Sequence, residues 1–331
     1  MRIERLDDPA ELAAYEAPPA WPRLSRGDVA QQAPQRSLVA VNDGRLFARC
    51  SLWWNDVPTL GDDRLGVIGH FGAVERDAAI ALLEAACIEL AREGCTRAVG
   101  PMDGNTWRRY RLIVERGTEP PFFLEPDNPD EWPTHFADAG FAPLAWYRSA
   151  LNEDLAQRDP RAAAVMDRLA ATGVTVRGLD LSRFDEELRR IYRVAATSFQ
   201  DAFLYTPLSE AAFIAQYQAI RLVVRPELVL LAEREGEPVG FSFSVPDMME
   251  AARGAPSKTF VFKTLAVLPD RRAYSGLGSL MADLTHQAAR ALGYTRAIHA
   301  LMHESNHSRA MSERTGRVVR RYALFARALV P

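Results

Sequence analysis

Phe260-Val-Phe-Lys-Thr-Leu-Ala-Val-Leu268, Pro269-Asp-Arg-Arg272, Ser275-Gly-Leu-Gly-Ser279 and Thr295-Arg-Ala-Ile-His-Ala-Leu301 follow one another in the order that decides the fold. The first run is apolar and rich in β-branched residues, which predicts a buried strand ended by Pro269. After the glycine turn, Leu277, Leu280, Met281, Leu284, Ala288 and Leu292 recur at three- and four-residue spacing, which predicts a helix closed at Gly293. A second strand-like run follows, then Glu304-Ser-Asn306 and a short helical segment ending at Gly316. A glycine turn between a strand and a helix leaves several backbone N–H groups unpaired and aimed at one spot, where the helix dipole favours an anion. A phosphate fits there, although a lone G-x-G before a helix is often only a tight turn.

A repeat sets the architecture. Gly94-Cys-Thr-Arg-Ala-Val99 matches Gly293-Tyr-Thr-Arg-Ala-Ile298 at four of six positions, and each follows an alanine-rich helical pattern. Upstream, Leu65-Gly-Val-Ile-Gly-His-Phe71 parallels the strand from Phe260; downstream, Asn105 parallels Asn306, and Glu115-Arg-Gly117 parallels Glu313-Arg-Thr-Gly316. A spacing of about two hundred residues is far longer than a solenoid period and implies two similar domains. The first copy has one glycine where the second has Gly276 and Gly278, and Glu75 and Asp77 near its helix start would repel a phosphate.

The order strand, P-D-R-R, G-L-G-S, helix, strand, E-S-N, helix, Gly resembles the acyl-CoA-binding core of the GNAT superfamily of N-acyltransferases, whose pyrophosphate loop commonly reads Q/R-x-x-G-x-G/A. Ala273 stands where that loop has Gln or Arg, and the run from Arg272 to Gly278 is one residue longer than the common form. In the first half, Val99-Gly-Pro-Met-Asp-Gly-Asn105, Glu119-Pro-Pro-Phe122, Asp127-Asn-Pro129 and Phe136-Ala-Asp-Ala-Gly-Phe141 are similar to bacterial tandem-GNAT proteins of unassigned substrate, as is Arg320-Arg-Tyr-Ala-Leu-Phe325 at the end. The fold class implied is α/β (α+β), two tandem GNAT-like domains, each a mixed, mostly antiparallel sheet flanked by helices. The split falls at residues 1–152 and 153–331, with only the second binding acyl-CoA.

The resemblance also implies roles. Acetyl-CoA or another acyl-CoA is the expected co-substrate, and an amine of a small molecule or peptide the acceptor. Arg272, Ala273, Tyr274, Ser275, Gly276, Leu277, Gly278 and Ser279 would hold the pyrophosphate, Asn306 the pantetheine, and backbone at Leu265, Ala266 and Val267 the thioester carbonyl. In many relatives a tyrosine of the last helix protonates the leaving thiolate; Ser312 stands at that position, which leaves Tyr322 as the candidate acid. Glu304 and His299 are candidate bases, a surface glutamate and a structural histidine being the plainer readings, and a helix cap alone would explain Asn306. Ala273 and Ser312 keep open a second reading, a chain that binds acyl-CoA as a sensor without transfer, and a third is a purely structural or interaction protein with neither ligand.

Composition agrees with a globular protein: 331 residues, 48% hydrophobic and 25% charged, more than one core usually serves. A net charge of −3 offers no basic surface, so no nucleic-acid partner is expected. Cys50, Cys87 and Cys95 are odd in number and confined to the first half, as in a reduced cytoplasmic protein. Met1-Arg-Ile-Glu-Arg-Leu-Asp-Asp8 lacks a signal-peptide core and no apolar run reaches membrane length, so no membrane is expected. His299, His303 and His307 recur every four residues, but His299 belongs to a strand, which argues against a shared helical face and a metal.

Residues 9–37 are rich in proline and polar side chains and suggest a loop or lid. Leu38–Val41 and Arg45–Trp53 flank Asn42-Asp-Gly44, and Leu228–Glu233 and Pro238–Val245 flank Arg234-Glu-Gly-Glu237; both read as hairpins. Pro120-Pro-Phe-Phe-Leu-Glu-Pro-Asp-Asn-Pro129 suggests a buried connection or the wall of a site. Phe199, Phe203, Tyr205, Phe213 and Tyr217 form an aromatic segment that core packing explains most simply, but in the resembled family this region borders the acceptor, which favours an apolar or aromatic one.

Overall fold

The computed structural model describes residues 1–270, 272–306, 312 and 314–330. The first half runs β1 (Arg2–Leu6), α1 (Arg26–Gln32), β2 (Arg36–Asn42), β3 (Arg45–Trp53), β4 (Leu65–Ala73), α2 (Arg76–Arg92), β5 (Arg97–Gly100), β6 (Leu112–Glu115), α3 (Trp132–Asp138) and β7 (Ala142–Asn152). The second runs α4 (Ala162–Ala170), β8 (Val174–Gly178), α5 (Phe184–Ser198), α6 (Glu210–Gln218), β9 (Val229–Arg234), β10 (Glu237–Pro246), α7 (Met248–Ala252), β11 (Thr259–Val267), α8 (Leu277–Ala291), β12 (Arg296–His303) and β13 (Arg317–Ala328). Both hairpins form as two-residue turns. Asp43 and Gly44 take φ of 49° and 76°, and Glu235 and Gly236 take 54° and 82°, the left-handed pairs that match strand twist.

One sheet carries both halves, in the order β1-β2-β3-β4-β5-β13-β7-β12-β11-β10-β9-β8, with β6 paired to β13. Among the described residues only β4–β5 and β11–β12 are parallel, each joined by a crossover helix. The two closing strands are exchanged. β7, the end of the first half, lies against β12, while β13, the end of the second, lies against β5. They pair with each other from Arg317↔Leu151 to Ala326↔Ala142, which makes the centre of the sheet a product of both halves.

The proline-rich start is not a lid. Pro9–Ala14 is a 3-10 helix and α1 follows, and Leu12, Trp21 and Val29 are buried. Trp21 meets Trp132 edge-on at 6.3 Å, and a Cβ added to Gly72 would lie 2.4 Å from its ring. Proline content governs backbone shape and not burial, which is why the composition misled. The segment Pro120–Pro129 fills both expected parts: Phe122 is buried in the core of the second half, and Leu124, Glu125 and Pro126 line a cavity. Cys50, Cys87 and Cys95 are buried free thiols whose pKa values burial pushes up.

Candidate functional site

Strands β11 and β12 run side by side from Thr259↔Arg296 to Phe262↔His299 and then part. Both are irregular where they separate. Along β11 the register against β10 passes from Thr264↔Phe243 to Phe262↔Ser244, leaving Lys263 at a bulge. Along β12 the slip falls between His299 and Met302, where Leu301 takes φ of 60°. The Leu301 N–H donates to Ser149 Oγ at 3.0 Å, and its carbonyl accepts from Arg111 Nη1 at 3.2 Å, so groups of the first half hold the bulge.

The parted strands open on a cavity of about 1310 Å³. Gly276, Gly278 and Ser279 of the α8 start, Leu265, Ala266 and Val267 of β11, and Arg111, Glu125 and Tyr147 of the first half all line it. An apolar branch runs between α5, α6 and the sheet, past Leu188, Ile191, Phe213, Val229 and Phe241. Ordinary small-ligand sites occupy about 300–1,000 Å³, so this one has room for a larger substrate.

Gly276 caps α8 with φ of 78° and no side-chain bond; the Leu277 N–H donates back to the Tyr274 carbonyl at 3.1 Å, and the N–H groups of Gly278 and Ser279 are left for an anion. Upstream the loop turns inward. The N–H groups of Arg272 and Ala273 donate to Asp270 Oδ1 at 3.1 and 2.9 Å, and Leu277 is fully buried. Of the loop expected to hold a pyrophosphate, Gly276, Gly278 and Ser279 therefore reach the cavity, while Arg272, Ala273, Tyr274 and Ser275 form the turn around Asp270. Arg271 lies outside the described residues.

The first copy fills its own opening. Parallel pairing of β4 and β5 ends at Val67↔Val99, and Pro101-Met-Asp103 then lies across Gly69, where a Cβ would sit 2.1 Å from the Met102 carbonyl. Asp103 Oδ1 accepts from the His70 N–H at 2.6 Å. By register, Gly69 and His70 correspond to Lys263 and Thr264. The backbone that borders open space in the second copy is thus occupied in the first.

No family model matches the chain. Among curated proteins it is 28% identical over 233 residues to one named bacterial ceramide synthase from Caulobacter vibrioides, and 23% identical over 236 residues to Protein YghO of Escherichia coli. The matches cover 68% and 69% of this chain and 59% of each relative's length. Among solved structures, a tandem GNAT protein from the clavulanic acid biosynthesis pathway superposes over 100% of this chain and 99% of its own, with a TM-score of 0.53 at 14% identity. A glucosamine N-acetyltransferase region of a fungal multi-domain β-N-acetylglucosaminidase gives 0.57 at 12% identity, covering 98% of this chain and 38% of that one. The fold is a tandem GNAT fold.

Within this fold the candidate residues separate. Asn306 lines the cavity. Glu304 sits beside it, 3.7 Å from Arg321. His299 does not line it: the ring is buried, with Nδ1 2.6 Å from Ser312 Oγ and Nε2 3.0 Å from His286 Nε2. Burial, reinforced by His286, pushes its pKa down to about 3, so it packs as a neutral ring between sheet and helix. The Tyr322 hydroxyl is likewise off the cavity, donating to Glu125 and 3.0 Å from Ser149 Oγ, with a pKa raised by burial and by Glu125. Both residues alternate along strands buried on two faces, and such strands give no sign of which face meets a site. His307 lies outside the described residues, and His303 points the other way from His299, stacked on Phe203 at 5.3 Å.

The aromatic segment is both core and wall: Phe213 is buried in the core of the second half, with Phe199 and Tyr217 packed against it. Phe199, Phe203, Tyr205, Phe213 and Tyr217 all line the cavity, joined by Trp107 of the first half, whose Nε1 donates to the Thr206 carbonyl at 2.8 Å. Sequence reasoning passed over Lys263, Arg111 and Glu125. For Lys263 a signal existed: it is the single charge in the run from Phe260 to Leu268. Arg111 and Glu125 carried none, since their place depends on pairing between halves.

Proposed function

We propose that this chain is an acyl-CoA-dependent N-acyltransferase whose acceptor is an amine on a long apolar chain. The observation that carries the reading is one cavity joining the start of α8, the parting of β11 and β12, and an apolar branch. The donor's pyrophosphate would rest on the N–H groups of Gly278 and Ser279, its pantetheine would follow Leu265, Ala266 and Val267 past Asn306, and its thioester would lie where the strands part. An amine held there attacks the thioester carbonyl, whose developing charge backbone N–H groups of the splayed strand stabilise, and coenzyme A leaves as the thiol. Direct transfer suits a half that contains no cysteine.

The volume of the cavity and its apolar lining by α5 and α6 support a long chain on the acceptor. Each methylene buried there contributes about 0.8 kcal/mol, so affinity should climb with chain length until the branch is full. Similarity to a protein named bacterial ceramide synthase supports the same class, since a ceramide is a long-chain amine in amide linkage to an acyl group. Thiol release from acetyl-, octanoyl- and palmitoyl-CoA, measured against amines of increasing chain length, tests the reading. Turnover that rises with amine length is expected. Tight acyl-CoA binding with no thiol release from any amine would favour a sensor instead.

A further inference from the structure

Lys263 is the residue this picture leaves unused. It sits on β11 one residue past the last parallel pair, at the bulge that turns its side chain out of the ladder, and it lines the cavity between donor and acceptor regions. Among the described residues its ammonium takes part in no hydrogen bond or ion pair. Lys263 is half-buried on the cavity wall, and an ammonium drawn partly out of bulk water without a counter-ion is disfavoured as a cation and relieved by losing its proton. The counterpart in the plugged first copy is Gly69, so the amine appears only in the copy that has open space.

We propose that Lys263 is the general base that takes the proton from the acceptor's ammonium. This role rests on the acyltransferase reading above. Entering as the neutral amine, Lys263 removes one proton from R–NH₃⁺. The freed lone pair forms the C–N bond, the C–S bond breaks, and a second N–H proton passes to the thiolate, giving amide and thiol. Lys263 then returns its proton to solvent. No other reactant is needed.

The surroundings set its protonation. Burial comes first and Arg111 adds to it, with Glu125 opposing, and together they bring the Lys263 pKa down to about 7. Glu125 does not cancel the effect because its carboxylate is engaged by Arg320 and Tyr322. From β12 His303 faces the cavity, its own pKa lowered chiefly by burial and then by Arg111, so it adds little positive charge near neutrality. Tyr147 from β7 and Tyr217 from α6 have raised pKa values through burial and stay neutral. Arg108, Arg109 and Asp201 line the cavity as further charges, two positive and one negative.

Lys263→Gln and Lys263→Arg test the role together, since arginine keeps the charge and cannot act as a base near pH 7. Both should lower kcat by about 10²–10⁴, with acyl-CoA affinity and melting temperature nearly unchanged. In the wild type, kcat should rise with pH through a limb near pH 7. In Lys263→Gln that limb should be replaced by one following the acceptor amine's own ionisation. Amide formation by the wild type with a fully active Lys263→Arg would overturn this role alone, as would an unmoved pH limb in Lys263→Gln. A wild type that forms no amide with any acyl-CoA and amine would overturn the acyltransferase reading and this role with it.

Discussion

Arg320 Nε donates to Glu125 Oε1 at 2.8 Å, and both side chains are 1% exposed. Arg320 lies on β13 and Glu125 in the segment before α3, 195 residues apart, so this buried pair fastens the closing strand of the second half to a cavity wall supplied by the first. Arg320 also donates to the Arg116, Glu119 and Pro120 carbonyls, and the Tyr322 hydroxyl donates to the same carboxylate. Site and strand exchange are therefore one structure.

Removing Glu125 alone should be severe. Glu125→Ala leaves a buried arginine without its anion and should cost about 3–5 kcal/mol in urea unfolding. The double variant Glu125→Ala/Arg320→Met should recover part of that loss. Equal, additive costs would show that the pair is not coupled.

The halves should depend on each other. Cutting the chain after Asn152 leaves residues 1–152 without β13 beside β5, and residues 153–331 without β7 beside β12. Each fragment then exposes long unpaired edges. Expressed alone they should aggregate, and co-expressed they should form a soluble complex, as read by size-exclusion chromatography. Two stable monomers with unchanged melting would contradict the exchanged pairing.

Gly278→Glu should abolish acyl-CoA binding without unfolding the protein. A Cβ at this position meets Leu265 Cδ2 at 3.6 Å, an ordinary contact, so the fold accommodates a side chain. The added carboxylate stands at the start of α8, where it would repel a pyrophosphate. Calorimetric titration should lose its signal while the melting curve stays in place. Ile191→Trp, placed in the apolar branch, should shift the preferred amine to a shorter chain and leave the donor's affinity alone.

The His286–His299 pair sets an acid limit on stability. Burial holds His286 down to about 4 and His299 down to about 3, below an unfolded value near 6.5. Between about pH 6.5 and 4 the unfolded chain therefore binds more protons, so stability falls as pH falls, by up to about 1.4 kcal/mol per pH unit for each histidine. Melting temperatures measured from pH 7 to 4.5 should drop steeply in the wild type and less so in His286→Gln.

Much of the second copy was legible because its signals are local. The strand from Phe260, the Gly276 turn and the helix to Leu292 each follow from neighbours in sequence, and the hexapeptide repeat gave the tandem arrangement. The exchange of β7 and β13 was not legible, since both are apolar strands that fit beside either β5 or β12 and the choice rests on long-range pairing. For the same reason the Tyr322 hydroxyl could be read as a catalytic acid when it braces Glu125. Lys263 was visible as a charge inside a strand, but only the parting of β11 and β12 gives that charge a place to act.

A crystal structure with a non-reactive acyl-CoA thioether and a long-chain amine tests the central claim most directly. The pyrophosphate should lie on Gly278 and Ser279, the thioether between β11 and β12 next to Lys263, and the amine's chain along Leu188, Ile191 and Phe241. Coenzyme A seated at α2 of the first half, or an alkyl chain lying outside the cavity, would contradict it.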